Sequence, residues 1–264
     1  MTGGLLQEKN LEVVQYRVGE TGYQDVSSYD EMRYKGAANE YKQHVMAAAY
    51  RKLLGDLQGK RVLDVGCGTG RGVIDFAAEA AFAAGADASL DMLSFAARKA
   101  AGQRLCSFAV AYAQQLPFKS ESFDVVTSLN FLHLFSLETQ QLMIAEMKRI
   151  LRPGGILLLE FDNALHGLGL GLLKRWSAKE RGSLPQEIRN VIGDGCKIEQ
   201  VYGAVLPVIW RILYKFPRLS RPFEGTTRLP LFNRVAHRVY YKLRKSAVPA
   251  AGLLKTQTQD AALL

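Results

Sequence analysis

Residues 61–70 read Arg-Val-Leu-Asp-Val-Gly-Cys-Gly-Thr-Gly, a short apolar run that meets an aspartate and breaks at once into alternating glycines. Arg61-Val62-Leu63-Asp64-Val65 has the length and branched content of a buried strand. Gly66, Gly68 and Gly70 then permit a tight turn and a close approach of backbone to a ligand. Gly72 to Glu79 follows as a helix, so the loop opens onto a helix N-terminus. A plain structural turn explains the glycines alone, but their position between strand and helix points to a nucleotide-type site. Two such sites fail on detail. A pyrophosphate fingerprint needs glycine where Arg71 stands, and a P-loop needs a Gly-Lys-Ser/Thr ending that is absent.

Outward from this loop, short apolar runs alternate with helical spacing. Ala81 to Asp87 reads as a second strand, and Ser89 to Ala101 as a helix with Leu90, Leu93, Phe95 and Ala96 on its apolar face. Ser107 to Tyr112 and Phe123 to Ser128 read as the third and fourth strands. Leu137 to Leu151 is a helix stopped by Pro153-Gly154-Gly155, and Gly155 to Phe161 a fifth strand. Lys197 to Leu206 and Ala236 to Leu243 supply the last two, with an antiparallel edge. Such alternation implies right-handed parallel crossovers, hence an α/β class fold: a doubly wound, Rossmann-like, mostly parallel seven-stranded sheet. The expected boundaries are an N-terminal helical lid at 1–58 and a ligand-binding domain at 59–246. Insertions at 163–194 and 207–234 would cover the substrate side, and 247–264 would be a disordered tail.

Four motifs in order give this chain a resemblance to class I S-adenosylmethionine-dependent methyltransferases, the broad group with quinone and small-molecule enzymes, over roughly residues 60–162. Val62 to Gly70 is similar to the family's first motif. Gly85-Ala86-Asp87-Ala88-Ser89 with Met92-Leu93 resembles the second-strand motif. Leu116-Pro117-Phe118 with Ser122-Phe123-Asp124-Val125-Val126 resembles the adenine-side turn and fourth strand, and Leu151-Arg152-Pro153-Gly154-Gly155 the turn into the fifth. The resemblance implies S-adenosyl-L-methionine as cofactor, held by Asp64, Gly66, Cys67, Gly68 and Gly70. It adds Asp87, Ala88, Met92, Ala113, Gln114 and Asn130. Where the family has an acidic residue for the adenine, this chain has Tyr112, which leaves adenine to the Ala113 backbone, the Gln114 amide or stacking on Tyr112.

The chemistry of these residue types agrees. Asp87 lies 17 residues beyond Gly70 at a strand end, where a carboxylate can accept from two ribose hydroxyls or cap the helix that follows. Asp64 can orient the ligand's ammonium or be a buried carboxylate satisfied by loop amides. A sulfonium is already electrophilic, so the protein supplies alignment, desolvation and in some cases a base. Three histidines are candidates for that base. His133 follows the fourth strand within an apolar run and can equally be structural. His166 sits on a glycine-flanked loop after the fifth strand, and His44 lies in the N-terminal region. That region is rich in tyrosine. Arg33 could pair with the ligand's carboxylate and Tyr29 could cap it, or both could belong to a helix packing its aromatics on the sheet.

Composition bounds the rest. The chain has 264 residues, 48% of them hydrophobic, with no run of 18 apolar residues and only Cys67, Cys106 and Cys196. These cysteines suit neither a disulfide framework nor a metal site, and a cytoplasmic location is expected. The net charge of +9 sits in the C-terminal third, where 173–245 holds 16 Lys and Arg against 5 Asp and Glu. Trp210, Tyr214, Phe216 and Phe223 interleave there with Arg211, Lys215, Arg218 and Arg221. Such a segment can lie on a membrane surface, cradle a lipid-like or anionic substrate, or simply face solvent. Nucleic acid uses the same residue types, but no RNA-binding module accompanies them, so a small-molecule acceptor is favoured.

Overall fold

The strand read at 61–65 is the middle of the sheet in the computed structural model, which describes residues 25–103, 105–164, 182–204 and 236–247. Strand β1 (Arg61–Val65) pairs in parallel with β2 (Phe82–Asp87) on one side and β4 (Phe123–Ser128) on the other. Beyond β2 lies β3 (Cys106–Val110), and beyond β4 lies β5 (Leu151–Asp162), both parallel to their neighbours. The sheet continues through β7 (Arg238–Lys245) to β6 (Cys196–Ala204), and β7 runs against both of them. The order is therefore β3-β2-β1-β4-β5-β7-β6, a seven-stranded, mostly parallel sheet as expected.

The buried residues of β1 explain why it is central. Val62 and Leu63 are fully buried and point to opposite faces, so the strand feeds two cores at once. On one face, Val62, Ala83 and Val125 meet helices α2 (Ala37–Leu54) and α3 (Arg71–Ala77) through Met46, Leu53, Val73 and Phe76. On the other, Leu63, Val126, Leu157 and Leu159 meet α5 (Leu137–Ile150) through Met143, Ile144 and Met147. Each such Leu, Ile or Met contributes roughly 1.5–3 kcal/mol by leaving water. Helix α4 (Leu90–Lys99) starts at Ser89, whose hydroxyl accepts from the Met92 amide at 3.2 Å. A short α1 (Val26–Tyr34) lies N-terminal to α2.

Two expectations are corrected. Helix α5 ends at Ile150, and Leu151 already pairs with Phe123 in β5, so Pro153-Gly154-Gly155 stops no helix. It occupies an irregularity between the Phe123 and Val125 pairings instead, where proline's missing N–H costs no ladder bond. Leu90 is 65% exposed, and the buried side of α4 is Met92, Leu93 and Ala96. The stretch 163–194 was expected to cover the substrate side. Its described part includes α6 (Pro185–Ile192), whose Ile188, Val191 and Ile192 join the α5 core, while the Ile192 carbonyl accepts from Lys148 of α5. Segment 207–234, with its aromatic and basic residues, lies outside the described residues.

Candidate active site

Strand order reverses between β1 and β4, and open α/β sheets bind ligands outside the carboxyl ends of strands at such a point. A cleft of about 790 Å³, part of it open to solvent, lies there. Its floor is Asp64 of β1, Leu129 and Asn130 after β4, and Glu160 of β5. Gly66, Cys67, Gly68 and Thr69 form one wall. Tyr29 of α1 and Gln43, Met46, Ala47 and Tyr50 of α2 form the cover. The spacing of the α2 residues places them on one helix face, one turn after another.

Backbone geometry explains the glycines. Gly66, Gly68 and Gly70 have φ of 74°, 51° and 72°, the left-handed region that side chains disfavour. At Gly66 a Cβ would come within 2.1 Å of the Phe131 ring, so the ring seals the loop only because the side chain is absent. The amides of Gly66 and Cys67 both donate to the Ala86 carbonyl, at 2.8 and 3.2 Å, which ties the loop to the end of β2. Asn130 has φ of 55°, a local strain of the kind found beside functional sites.

Carboxylates dominate the electrostatics. Asp64 is 4% exposed and accepts from the Thr127 hydroxyl at 2.6 Å. Burial, with smaller contributions from Asp87 and Glu160, raises its pKa to about 7, against the lowering by Thr127. Asp87 accepts from the amides of Gly68 and Ser89, each at 2.9 Å, and its pKa is raised by burial. Glu160 is 1% exposed and faces the cleft, with the Tyr240 hydroxyl and Arg238 beside it. Burial raises it too, while Arg238 pulls it the other way. Its ion pair with Arg238 is 3.2 Å long and out of hydrogen-bond alignment. Buried acids gathered around one cleft fit a ligand that brings positive charge.

The cleft gathers Tyr29, Asp64, Gly66, Cys67, Gly68 and Asn130 from the expected set. Asp87 borders it through the Gly68 amide. Others are not among its lining residues. Gly70 is the left-handed N-cap of α3, and a Cβ there would meet Ala96 and Phe108, so its role is packing. Met92 turns its side chain into the core, Ala113 packs in the α5-side cluster, and Ala88 is exposed at the end of β2. Gln114 is half-buried, and Tyr112 is 42% exposed beside an isolated bridge to Gln115. Arg33 stacks over the Tyr29 ring at 5.6 Å.

The base candidates fare differently. His44 is exposed, because α2 turns Gln43, Met46, Ala47 and Tyr50 to the cleft and leaves His44 off that face. His133 is largely buried, and desolvation lowers its pKa to about 4, so the imidazole is neutral at pH 7 and too weakly basic for the expected role. His166 lies outside the described residues. Glu160, Tyr50 and the Tyr50-bonded Asp75 (2.6 Å) are cleft residues that motif reading missed. One signal was legible: Glu160 is a charge inside the otherwise apolar run 156–161.

Comparison with known proteins agrees with this geometry. Residues 63–159 match the methyltransferase domain family. The chain is 37% identical over 182 residues to a fatty-acid O-methyltransferase of Mycolicibacterium smegmatis, covering 64% of each chain. It is 36% identical over 115 residues to a demethylmenaquinone methyltransferase of Clavibacter sepedonicus, covering 43% of this chain and 46% of that one. The chain thus spans about half to two thirds of the length of these relatives. Its fold is shared with the magnesium protoporphyrin IX methyltransferase of Synechocystis PCC 6803, solved with bound SAH. The TM-score is 0.58 at 22% identity, over 83% of this chain and 95% of that one. The fold and the motif order resemble those of the class I S-adenosylmethionine-dependent methyltransferases, and the methyltransferase domain match lies at 63–159.

Proposed function

We propose that this chain binds S-adenosylmethionine in the cleft above β1, β4 and β5 and passes its methyl group to a small, largely apolar acceptor. The observation that carries the reading is the pair Asp64 and Glu160. Both are almost fully buried, both line the cleft, and Asp64 has carboxylates rather than a cation around it. A ligand bearing an ammonium and a sulfonium matches that wall, and a pyrophosphate would be repelled by it. Glycine amides and the Asp87 carboxylate would hold the sugar side, since each Asp87 oxygen keeps acceptor capacity beyond its backbone bond.

When bound, the cofactor supplies an electrophilic methyl group on sulfur. The residues around it orient and dry the site. Phe131 over Gly66, Leu129, and Met46 with Tyr50 from α2 exclude water, which strengthens every charge interaction in the cleft. His133 is neutral there, so no described histidine near the cleft acts as a strong base at neutral pH. An apolar acceptor is supported by the names of the two relatives, a fatty-acid O-methyltransferase and a demethylmenaquinone methyltransferase. The test is to incubate the protein with methyl-labelled S-adenosylmethionine and a lipid-soluble metabolite pool. The expected result is labelled product together with S-adenosylhomocysteine. Cofactor bound without any pool-dependent S-adenosylhomocysteine would overturn the proposal.

A further inference from the structure

One side chain holds the Asp64 carboxylate. In the parallel register Asp64 of β1 stands opposite Thr127 of β4, so the two side chains share a face of the sheet. Thr127 is fully buried, and its hydroxyl donates to Asp64 Oδ1 at 2.6 Å, with the Leu63 carbonyl 3.5 Å away. No other hydrogen bond reaches this carboxylate among the described residues. A Cβ at Gly72 would come within 3.1 Å of Oδ2, so the glycine leaves that oxygen its place at the cleft, which Asp64 and Gly72 both line. Thr127 follows Val125 and Val126 in β4, where burial on both sides suits valine. Valine is branched like threonine and lacks only the hydroxyl, so packing alone does not call for threonine at 127. A hydroxyl so deeply buried is tolerated because it is hydrogen-bonded, and Asp64 is what it bonds.

The charges around Asp64 make that one donor decisive. Asp87 from the end of β2 and Glu160 from β5 act on it most, and both are acids. Cys67 of the glycine loop and Tyr50 of α2 face it as well, and burial keeps both protonated. From α3, Arg71 and Asp75 line the same cleft, but Arg71 lies 3.9 Å from Asp30 and Asp75 accepts from the Tyr50 hydroxyl. Burial and the two acids push Asp64 toward its neutral form, and the hydrogen bond from Thr127 pulls it back. We propose that Thr127 is a positioning residue of the cleft: its hydroxyl keeps the Asp64 carboxylate ionised at neutral pH and so sets the pH at which the cofactor binds. The inference rests on the cofactor reading above. Thr127 acts through Asp64 and not on the ligand itself. A neutral Asp64 brings no charge to a cation, so affinity follows its ionised fraction. Removing the donor raises the pKa, which lowers affinity in mild acid and spares it in mild alkali.

Carbon NMR of the aspartate carboxyl groups in the full chain reads the effect without ligand, with the Asp64 signal assigned by its loss in Asp64→Asn. The wild type should titrate at about 7. Thr127→Val should titrate about one unit or more higher, and Thr127→Ser, which keeps the hydroxyl, close to the wild type. Calorimetry with S-adenosylmethionine then reads the consequence. Relative to the wild type, Thr127→Val should bind about tenfold more weakly near pH 6 and within about twofold at pH 8.5, with Thr127→Ser near the wild type at both. Thermal unfolding shows that each variant is folded at the pH used, and Thr127→Ala carries the same test where Thr127→Val does not fold. An Asp64 titration that stays in place without the hydroxyl, or an affinity loss of equal size at both pH values, would overturn this inference. A wild type that binds no S-adenosylmethionine at either pH would overturn the cofactor reading and the claim on binding with it. The hold of Thr127 on Asp64 would then stand or fall on the carboxyl titration alone.

Discussion

Asp87 and Asp64 are both acids at strand ends, yet the structure sets them different tasks. Asp87 spends one lone pair of each oxygen on the Gly68 and Ser89 amides, so it shapes the loop that it also serves. Asp87→Asn keeps the size but offers one acceptor oxygen instead of two. It should weaken S-adenosylmethionine binding about tenfold or more and cost roughly 1–3 kcal/mol of stability, read by calorimetry and thermal unfolding. Asp64 should instead give a pH signature. Its carboxyl titrates near 7 in the fold against an ordinary 3.8, so the protonated form is favoured in the empty protein. The stability that this group contributes is complete below the ordinary value and is lost as pH rises through about 7. Cofactor binding runs the other way, because the charged form faces the cation. Affinity should climb between about pH 5.5 and 7.5 in the wild type and stay flat in Asp64→Asn. A flat wild-type profile would remove Asp64 from the cation wall.

Gly66 makes the transition from residue to element. Its added Cβ would enter the Phe131 ring, and φ is positive, so Gly66→Ala should destabilise by about 1–3 kcal/mol or more. Phe131→Ala in the same chain should recover the steric part and leave the backbone part, a coupling that denaturant melts of the four proteins would measure. At the scale of elements, Asp30 of α1 reaches the glycine loop. Asp30 accepts from the Thr69 hydroxyl at 2.7 Å and pairs with Lys99 at 3.3 Å and Arg71 at 3.9 Å. Asp30→Ala should raise the rate of limited proteolysis within α1 and leave the unfolding temperature of the sheet nearly unchanged, since exposed pairs of this kind contribute about 1 kcal/mol or less. Unaltered cleavage would show that α1 is held by its apolar contacts instead. Elements were largely legible in the sequence where local pattern decides them: β1 to β4 and the start of α5 lie within two residues of their expected positions at most ends. The turn at Pro153 was not, because a break in helical pattern looks the same whether it stops a helix or bulges a strand. The bulge exists only through the pairing of Leu151 with Phe123, a contact far apart in sequence.

Across the whole molecule the same division holds. Motif order made the sheet and the glycine loop readable, since each motif is local. The floor of the cleft was only partly readable: Glu160 and Arg238 are 78 positions apart and meet because β7 folds back antiparallel beside β5. His44 misled for the same reason, since facing depends on how α2 docks and not on residue type. Every part of this account requires the acid-lined cleft to take a cationic nucleoside. The most direct measurement is titration calorimetry of the intact chain with S-adenosylmethionine. The account predicts one site per chain, displaced by S-adenosylhomocysteine and weakened by Asp87→Asn. No heat of binding by a folded wild-type protein would contradict it.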